Sequence, residues 1–353
     1  MSTTITPEQF VCPTPAPPGD RVQLGHGSGG KLSAALLRER FLPQFTDDAL
    51  AQLGDAAVVG IGRSEIAIST DSFVVSPLEF PGGNIGSLAV HGTLNDLAMA
   101  GARPLYLSAG FILEEGLPLD VLDRVIAAMA EAASAGGVRL VAGDTKVVER
   151  GKADGIFVNT TGIGVCRPDF APAASRALPG DAVIVSGPIG RHGIAIMSAR
   201  EGLGFEAEVT SDCATLYPLV ERLRAALSGD VHVLRDPTRG GVASALNEIA
   251  AASGVGVLLE EDTLPVPGAV AAACEMLGLD PLYVANEGIF VAFVPPALAE
   301  DAVDAMRMHH LGRFARIIGH ATDRHPGMVV LRTALGGTRI VDMLPGDQLP
   351  RIC

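Results

Sequence analysis

The strongest constraint in this sequence is a pattern that runs twice. Apolar runs of strand length alternate with longer helix-period segments from Ala56 onward, stop at the Pro- and Ala-rich stretch RPDFAPAASRALPGD, and start again at DAVIVSG. Such alternation covers sheets with helices, and 353 residues suffice for two units of this kind. In the first unit AAVVGIG and EIAISTDSFVV read as β-runs around a turn at Gly62 to Ser64. NIGSLAVHGTLNDLAMAGARP reads as a helix, with Ile85, Leu88, Leu94, Leu97 and Ala98 at helical spacing and Gly101 suited to its end. LYLSAGFIL, VRLVAGDTKVV and GIFVNTTGIGV complete the sheet around the long helix PLDVLDRVIAAMAEAASAGG.

In the second unit DAVIVSG, VHVLRD, VGVLLEE and ARIIGHATDR read as strands and LYVANEGIFVAFVP as a strand pair. HGIAIMSAREG, CATLYPLVERLRAAL, TRGGVASALNEIAAASG and ALAEDAVDAMRMHH read as helices. The expected class is α+β (α/β) with two related domains, 25–168 and 169–342. A flexible leader over 1–24, with five prolines from Pro7 to Pro18, precedes them, and a mobile tail over 343–353 follows.

Composition excludes several partners. The net charge of −14 is spread evenly along the chain, with no basic stripe to neutralise a nucleic acid. No apolar run is long enough for a membrane span, and the N-terminus lacks the basic and apolar regions of a secretory signal, so a cytoplasmic protein is expected. The five cysteines, at 12, 166, 213, 274 and 353, form no CxxC pair, and an odd count speaks against a disulfide framework. Cys166, Cys213 and Cys274 lie among apolar residues and read as core. Cys353 is different: it closes MLPGDQLPRIC, whose Pro345, Gly346 and Pro350 disfavour helix and central strand. It is either a frayed end or a thiol on an arm.

Three groups of residues carry chemistry. GHGSGGKL brings Gly29, Gly30 and Lys31 to the start of a helix, where backbone N–H groups and a cation suit an anion. Leu32 stands where a phosphate-loop NTPase needs Ser or Thr, so the stretch reads as a flap over a nucleotide. Asp55, Asp71, Asp96 and Asp144 lie beside small residues at the ends of apolar runs, which fits magnesium and phosphates together, although each alone reads as a cap or turn residue. The third group is Lys146, DPTRGG and Asn286-Glu287-Gly288. In DPTRGG, Asp236 suits a helix cap while Thr238, Arg239 and the glycines suit an anion. Glu287 interrupts an apolar run and is either a solvated turn residue or a buried base. His26 and His192 read as polar loop residues within reach of phosphate.

LGDAAVV, STDSFVVSPLEFPGG, HGTLNDLAMAGARPLYLSAGFILEEG, VAGDTKVVERG, IGRHGIAIMSAREGLGFE, LRDPTRGGVASALNEIA and ANEGIF, closed by PRIC, together resemble the HypE family of hydrogenase maturation proteins, the carbamoyl dehydratases. That family sits in a wider PurM-like, ATP-using superfamily with aminoimidazole ribonucleotide synthetase, selenophosphate synthetase and thiamine-monophosphate kinase. The resemblance implies a two-domain PurM-like fold whose N-terminal domain builds a barrel with a second subunit. It implies that HypF carbamoylates the sulfur of Cys353, that ATP and Mg2+ drive dehydration to a thiocyanate, and that cyanide passes to iron on a HypC–HypD complex. By match of motif, the resemblance implies that Asp55, Asp71 and Asp96 are magnesium–ATP residues, with Asp144 near the phosphates, and that Lys146 and Glu287 are the groups that deprotonate the amide nitrogen. Two other readings stay open: a selenophosphate synthetase-like enzyme, which needs a reactive N-terminal cysteine that Cys12 supplies poorly, and a non-catalytic adaptor.

Overall fold

The computed structural model describes residues 22–27, 29–45, 47–202, 209–344, 346 and 351–353. Residues 1–21 of the expected leader and residues 345 and 347–350 of the expected tail lie outside them. Two short helices, α1 (Lys31–Leu36) and α2 (Asp48–Ala51), precede the first sheet. The helix that Lys31 opens continues past α1 as a wider π-type turn to Phe41.

The first sheet contains β1 (Ala57–Ile61) and β2 (Ser64–Phe73). A small hairpin of β3 (Glu79–Phe80) and β4 (Gly83–Asn84) leads into α3 (Ile85–Met99). Then come β5 (Arg103–Glu114), α4 (Leu119–Ala135), β6 (Arg139–Val148) and β7 (Ile156–Val165). The strand order is β1-β2-β7-β5-β6, antiparallel except for the parallel pair β5–β6 that α4 connects. Side chains alternate across a strand, and β7 shows it: Ile156, Val158 and Thr160 are buried beneath α3, while Ile163 and Val165 emerge on the other face. Among the described residues no helix covers that other face, which displays Tyr106, Ile112, Ile163 and Val165.

The helix α3 is buried nearly all round because the first sheet lies on one side and the second half of the chain on the other. Its start is set by Asn84, whose Oδ1 accepts the N–H groups of Gly86 and Ser87 while Ser87 Oγ accepts that of Asn84. Its last turn packs Ala98 and Met99 against Leu216, Leu219 and Phe290.

The second half contains β8 (Ala182–Val185), α5 (Arg191–Glu201), α6 (Tyr217–Leu227), β9 (Val233–Arg235), α7 (Gly241–Ser253) and β10 (Gly256–Glu260). It continues with α8 (Gly268–Leu277), β11 (Val291–Val294), α9 (Ala299–Arg307), β12 (Arg316–Thr322), β13 (Val329–Arg332) and β14 (Thr338–Ile340). Its seven strands run in the order β14-β13-β10-β12-β8-β11-β9. Among the described residues no helix is long and apolar enough to cross a membrane.

Three expected elements differ. Only the second half of LYVANEGIFVAFVP is a strand, because the N–H groups of Glu287 and Gly288 go to the Asp212 carboxylate and Asn286 bonds Gly190, Pro237 and Val284. The helix expected from Cys213 begins at Tyr217, with Pro218 in its first turn. The helix expected from Thr238 begins at Gly241, after Gly240 at φ 75°.

Helices α3 and α4 touch through Gly86, where an added Cβ would lie 2.2 Å from the Val125 carbonyl oxygen. Gly86→Ala therefore forces the helices apart and is expected to cost about 1–3 kcal/mol, read as a lower midpoint in urea at unchanged slope.

Candidate functional site

Four carboxylates meet where the two halves join. Asp55 precedes β1, Asp71 lies near the end of β2, Asp96 lies on α3 and Asp236 follows β9. Oxygen atoms of Asp55, Asp96 and Asp236 lie within 4.8 Å of one another. Ser69, two residues before Asp71 and on the same face of β2, donates to Asp96 Oδ2 at 2.5 Å. Arg235 bridges Asp55 at 2.7 Å and Glu248 at 2.6 Å. Burial pushes Asp55 and Asp96 well above the usual carboxylate range. The Arg235 charge opposes this at Asp55, whereas the charges of Asp236, Asp71 and Asp55 add to it at Asp96. Burial also raises Asp71, against the pull of Arg239, and raises Asp236 to about 6. Asp236 is thus not the helix cap its sequence suggested; α7 has no side-chain cap, and the carboxyl joins the cluster instead.

Beside the cluster is a cavity of about 120 Å³ lined by Gly29, Arg235, Asp236, Thr238, Arg239 and Ser244, among others. Gly29, at φ 73°, lets the glycine loop approach Arg239 so closely that a Cβ would sit 3.1 Å from its carbonyl. Arg239 Nη1 in turn donates to the Gly27 carbonyl at 2.7 Å. Gly30 caps α1 with extended backbone, and Lys31 pairs with Asp342 at 2.5 Å while its N–H reaches the Leu344 carbonyl.

Glu287 is buried, and among the described residues its Oε1 has no hydrogen-bond partner. Burial, then the charges of Asp236, Asp212 and Asp71, drive its carboxyl well above the usual range. Its stretch of backbone is fixed on both sides: Asp212 accepts the N–H groups of Glu287 and Gly288, each at 3.2 Å, and the Glu287 carbonyl accepts from Asn95 Nδ2 at 3.2 Å and from the Ala214 N–H at 3.4 Å. Phe73 and Glu287 both face Gly92 of α3, where a Cβ would lie 2.9 Å from the Phe73 ring and 3.9 Å from Glu287 Oε2. Asp212 carries no signal in its local sequence; a lone acid in TSDCATL is inconspicuous until its partners are known.

Cys353 lies at the other end of that neighbourhood. Ile352 pairs antiparallel with Val75 just beyond β2, and Ile352 is buried in the core beneath the first sheet. Cys213 is half-buried near Glu287, and its thiol is pushed well above its ordinary range by desolvation and then by the Glu287 charge. Cys274 is buried, and Cys166 is half-buried as well.

Asp144 and Lys146 do not join the cluster within one chain. They pair with each other at 2.9 Å on β6, both largely exposed, three strands from β2. At about 4.8 Å per strand this is roughly 14 Å. The Lys146 bond holds the Asp144 carboxyl below its ordinary value. His192, expected in a loop near phosphate, is instead buried on α5 between Ser211 and Ile352.

Residues 53–166 match the family described as AIR synthase related protein, N-terminal domain, and residues 179–331 match its C-terminal domain. Carbamoyl dehydratase HypE of Cupriavidus necator is 53% identical over 334 residues, covering 94% of this chain and 95% of that protein. The crystal structure of a HypE–HypF complex contains a chain 48% identical, with a TM-score of 0.83 over 88% of this chain and 100% of that one. A HypE structure in complex with ATP is 50% identical, with a TM-score of 0.80 over 93% of this chain and 98% of that one.

The raised carboxyls have a consequence for stability. Asp236 binds its proton more tightly folded, at about 6, than at its ordinary 3.8, so its contribution is present below 3.8 and is lost as pH rises through about 6. Asp55 and Asp96 shift in the same direction. Without added divalent cations, the melting temperature should fall between about pH 4 and about pH 6, and fall less in Asp96→Asn. Equal pH slopes in the two proteins would assign the effect to other groups.

Proposed function

This chain belongs to the carbamoyl dehydratase HypE family of the AIR synthase related, PurM-like proteins, and from that premise we propose how its residues divide the work. It is an ATP-dependent carbamoyl dehydratase of NiFe hydrogenase maturation. It converts a carbamoyl group on the Cys353 sulfur to a thiocyanate. The observation that carries this reading is the meeting of the carboxylate cluster, Glu287 and the docked Cys353 segment around β2 and α3.

A carbamoyl oxygen is a poor leaving group, and Mg–ATP supplies the phosphoryl group that makes it a good one. The converging oxygens of Asp55, Asp96 and Asp236 are the hard donors Mg2+ takes, and these residues would hold it, with Asp71 beside them. Gly29, Gly30, Thr238 and Arg239 orient the phosphates; Lys31, expected to join them, instead gives its N–H to Leu344 and its ammonium to Asp342. Glu287 removes protons from the amide nitrogen: its dry surroundings and orphan Oε1 make it a stronger base than a solvated carboxylate. The HypE–HypF complex supports HypF as the partner that loads the sulfur. HypC–HypD is the acceptor of the cyanide in this reading.

We place the domains at 25–168 and 169–342. The uncovered apolar face of the first sheet, with Tyr106, Ile112, Ile163 and Val165, fits a barrel formed with a second copy. Asp144 and Lys146 share that face, so the second copy is what gives them a site to serve; in their own chain they stand apart from it.

Glu287→Gln is expected to bind ATP as the parent does and to lose dehydration. Intact-mass measurement of carbamoylated protein supplied with ATP and magnesium then shows no loss of one water. Normal thiocyanate formation by this variant excludes Glu287 as the base. ATP consumption in the parent with an unchanged Cys353 peptide would favour a small-molecule synthetase, and no turnover would favour an adaptor. Ile163→Asp, which places a charge on the open face, is expected to give a monomer by light scattering with dehydration reduced at least about tenfold. A monomeric variant of full activity would remove the second copy from the reaction.

A further inference from the structure

The segment Arg351–Cys353 is held by its main chain. The Ile352 carbonyl accepts from His192 Nε2 at 2.6 Å, and the Arg351 carbonyl accepts from Arg200 Nη2 at 2.7 Å and from the Ser76 N–H at 3.1 Å. The Cys353 carbonyl accepts the Val74 N–H at 3.1 Å. Arg200 Nε also donates to the Ser76 carbonyl at 2.9 Å, tying the receiving strand to the same guanidinium. Arg351 pairs with Asp154.

His192 and Arg200 sit two helical repeats of four apart on α5, hence on one face. The imidazole is fixed in one tautomer. A carbonyl only accepts, so Nε2 carries the proton toward Ile352, and Nδ1 accepts from Ser211 Oγ at 2.8 Å. Ser211 Oγ meanwhile accepts the Cys213 N–H at 3.0 Å. Complete burial keeps the ring neutral, with its pKa near 4. The next residue after Ser211 is Asp212, which holds the backbone of Glu287 and Gly288. One short segment therefore anchors both the group that grips the chain end and the group that fixes the base.

We propose that His192 and Arg200 are positioning residues for the dehydration: a clamp that reads the carbonyls of Arg351 and Ile352 and seats Cys353 opposite Val74, against the core that contains Phe73. None of these bonds uses the sulfur, so the clamp takes the segment equally with a thiol, a carbamoyl or a thiocyanate on Cys353. The antiparallel pairing directs the chain from Val75 toward Val74 and Phe73, the side of β2 that carries Asp71. The role in dehydration rests on the reading of Cys353 as the carrier; the seating does not.

The test uses the full-length protein. His192→Phe keeps a ring against Phe80, which His192 meets edge-on at 5.6 Å, and removes the donor. Arg200→Met keeps much of the stem and removes the guanidinium. Alkylation of Cys353 by iodoacetamide, followed on its own peptide by mass spectrometry, is expected to rise roughly three- to tenfold in each variant. Single-turnover dehydration of the carbamoylated variants should fall by a comparable factor while ATP affinity stays as in the parent. His192→Gln, whose amide can donate in place of Nε2–H, should recover most of both. Unchanged alkylation in both substitutions overturns the clamp. Faster alkylation with undiminished dehydration overturns the positioning role. If His192→Phe does not fold, Arg200→Met carries both readings alone. Alkylation needs neither ATP nor a carbamoyl group, so a parent protein that seats Cys353 but never dehydrates refutes the carrier reading and leaves the seating intact.

Discussion

Like charges held in a dry place repel, and this fold is organised around tolerating that repulsion. Asp55, Asp96 and Asp236 come from three separate elements, and their oxygens are nevertheless within 4.8 Å. Arg235 supplies one counter-charge, shared between Asp55 and Glu248, and Ser69 supplies one hydroxyl to Asp96. These do not balance the group; the remaining strain is expressed as carboxyls pushed above their ordinary pKa by burial and by one another's charge. Such an arrangement is costly as a structural device and useful as a cation site, since a divalent ion repays the desolvation that the apo fold bears. The packing of α3 between the two halves is what holds the cluster closed, because Asp96 cannot leave without moving a helix buried on nearly every side.

Much of this architecture was legible in the sequence. The helical spacing of Ile85, Leu88, Leu94 and Leu97, and the alternation in GIFVNTTGIGV, are periodic signals that local packing respects. The failures cluster at the site. LYVANEGIFVAFVP has the composition of a strand pair, yet Glu287 and Gly288 direct their N–H groups to a side-chain carboxylate 75 residues or more away in sequence. Propensity has no access to such a partner. Asp236 similarly has the local setting of a helix cap and is claimed by a tertiary cluster instead. Asp55, Asp71 and Asp96 stood out by motif and lie together, whereas Lys146 stood out equally and lies three strands away. Motif identifies residue types that suit a chemistry; only the fold determines whether one copy of the chain gathers them.

The main-chain grip on Ile352 has a further consequence, one of parity. Strand side chains alternate, and Ile352 faces the core opposite Val75. Lengthening the chain by one residue between Ile352 and Cys353 would send the sulfur to the other side of the ribbon without weakening a single clamp bond. Lengthening it by two would restore the side but carry the sulfur roughly 7 Å onward along β2. The distance from the seated isoleucine to the final sulfur is therefore a ruler with one usable mark.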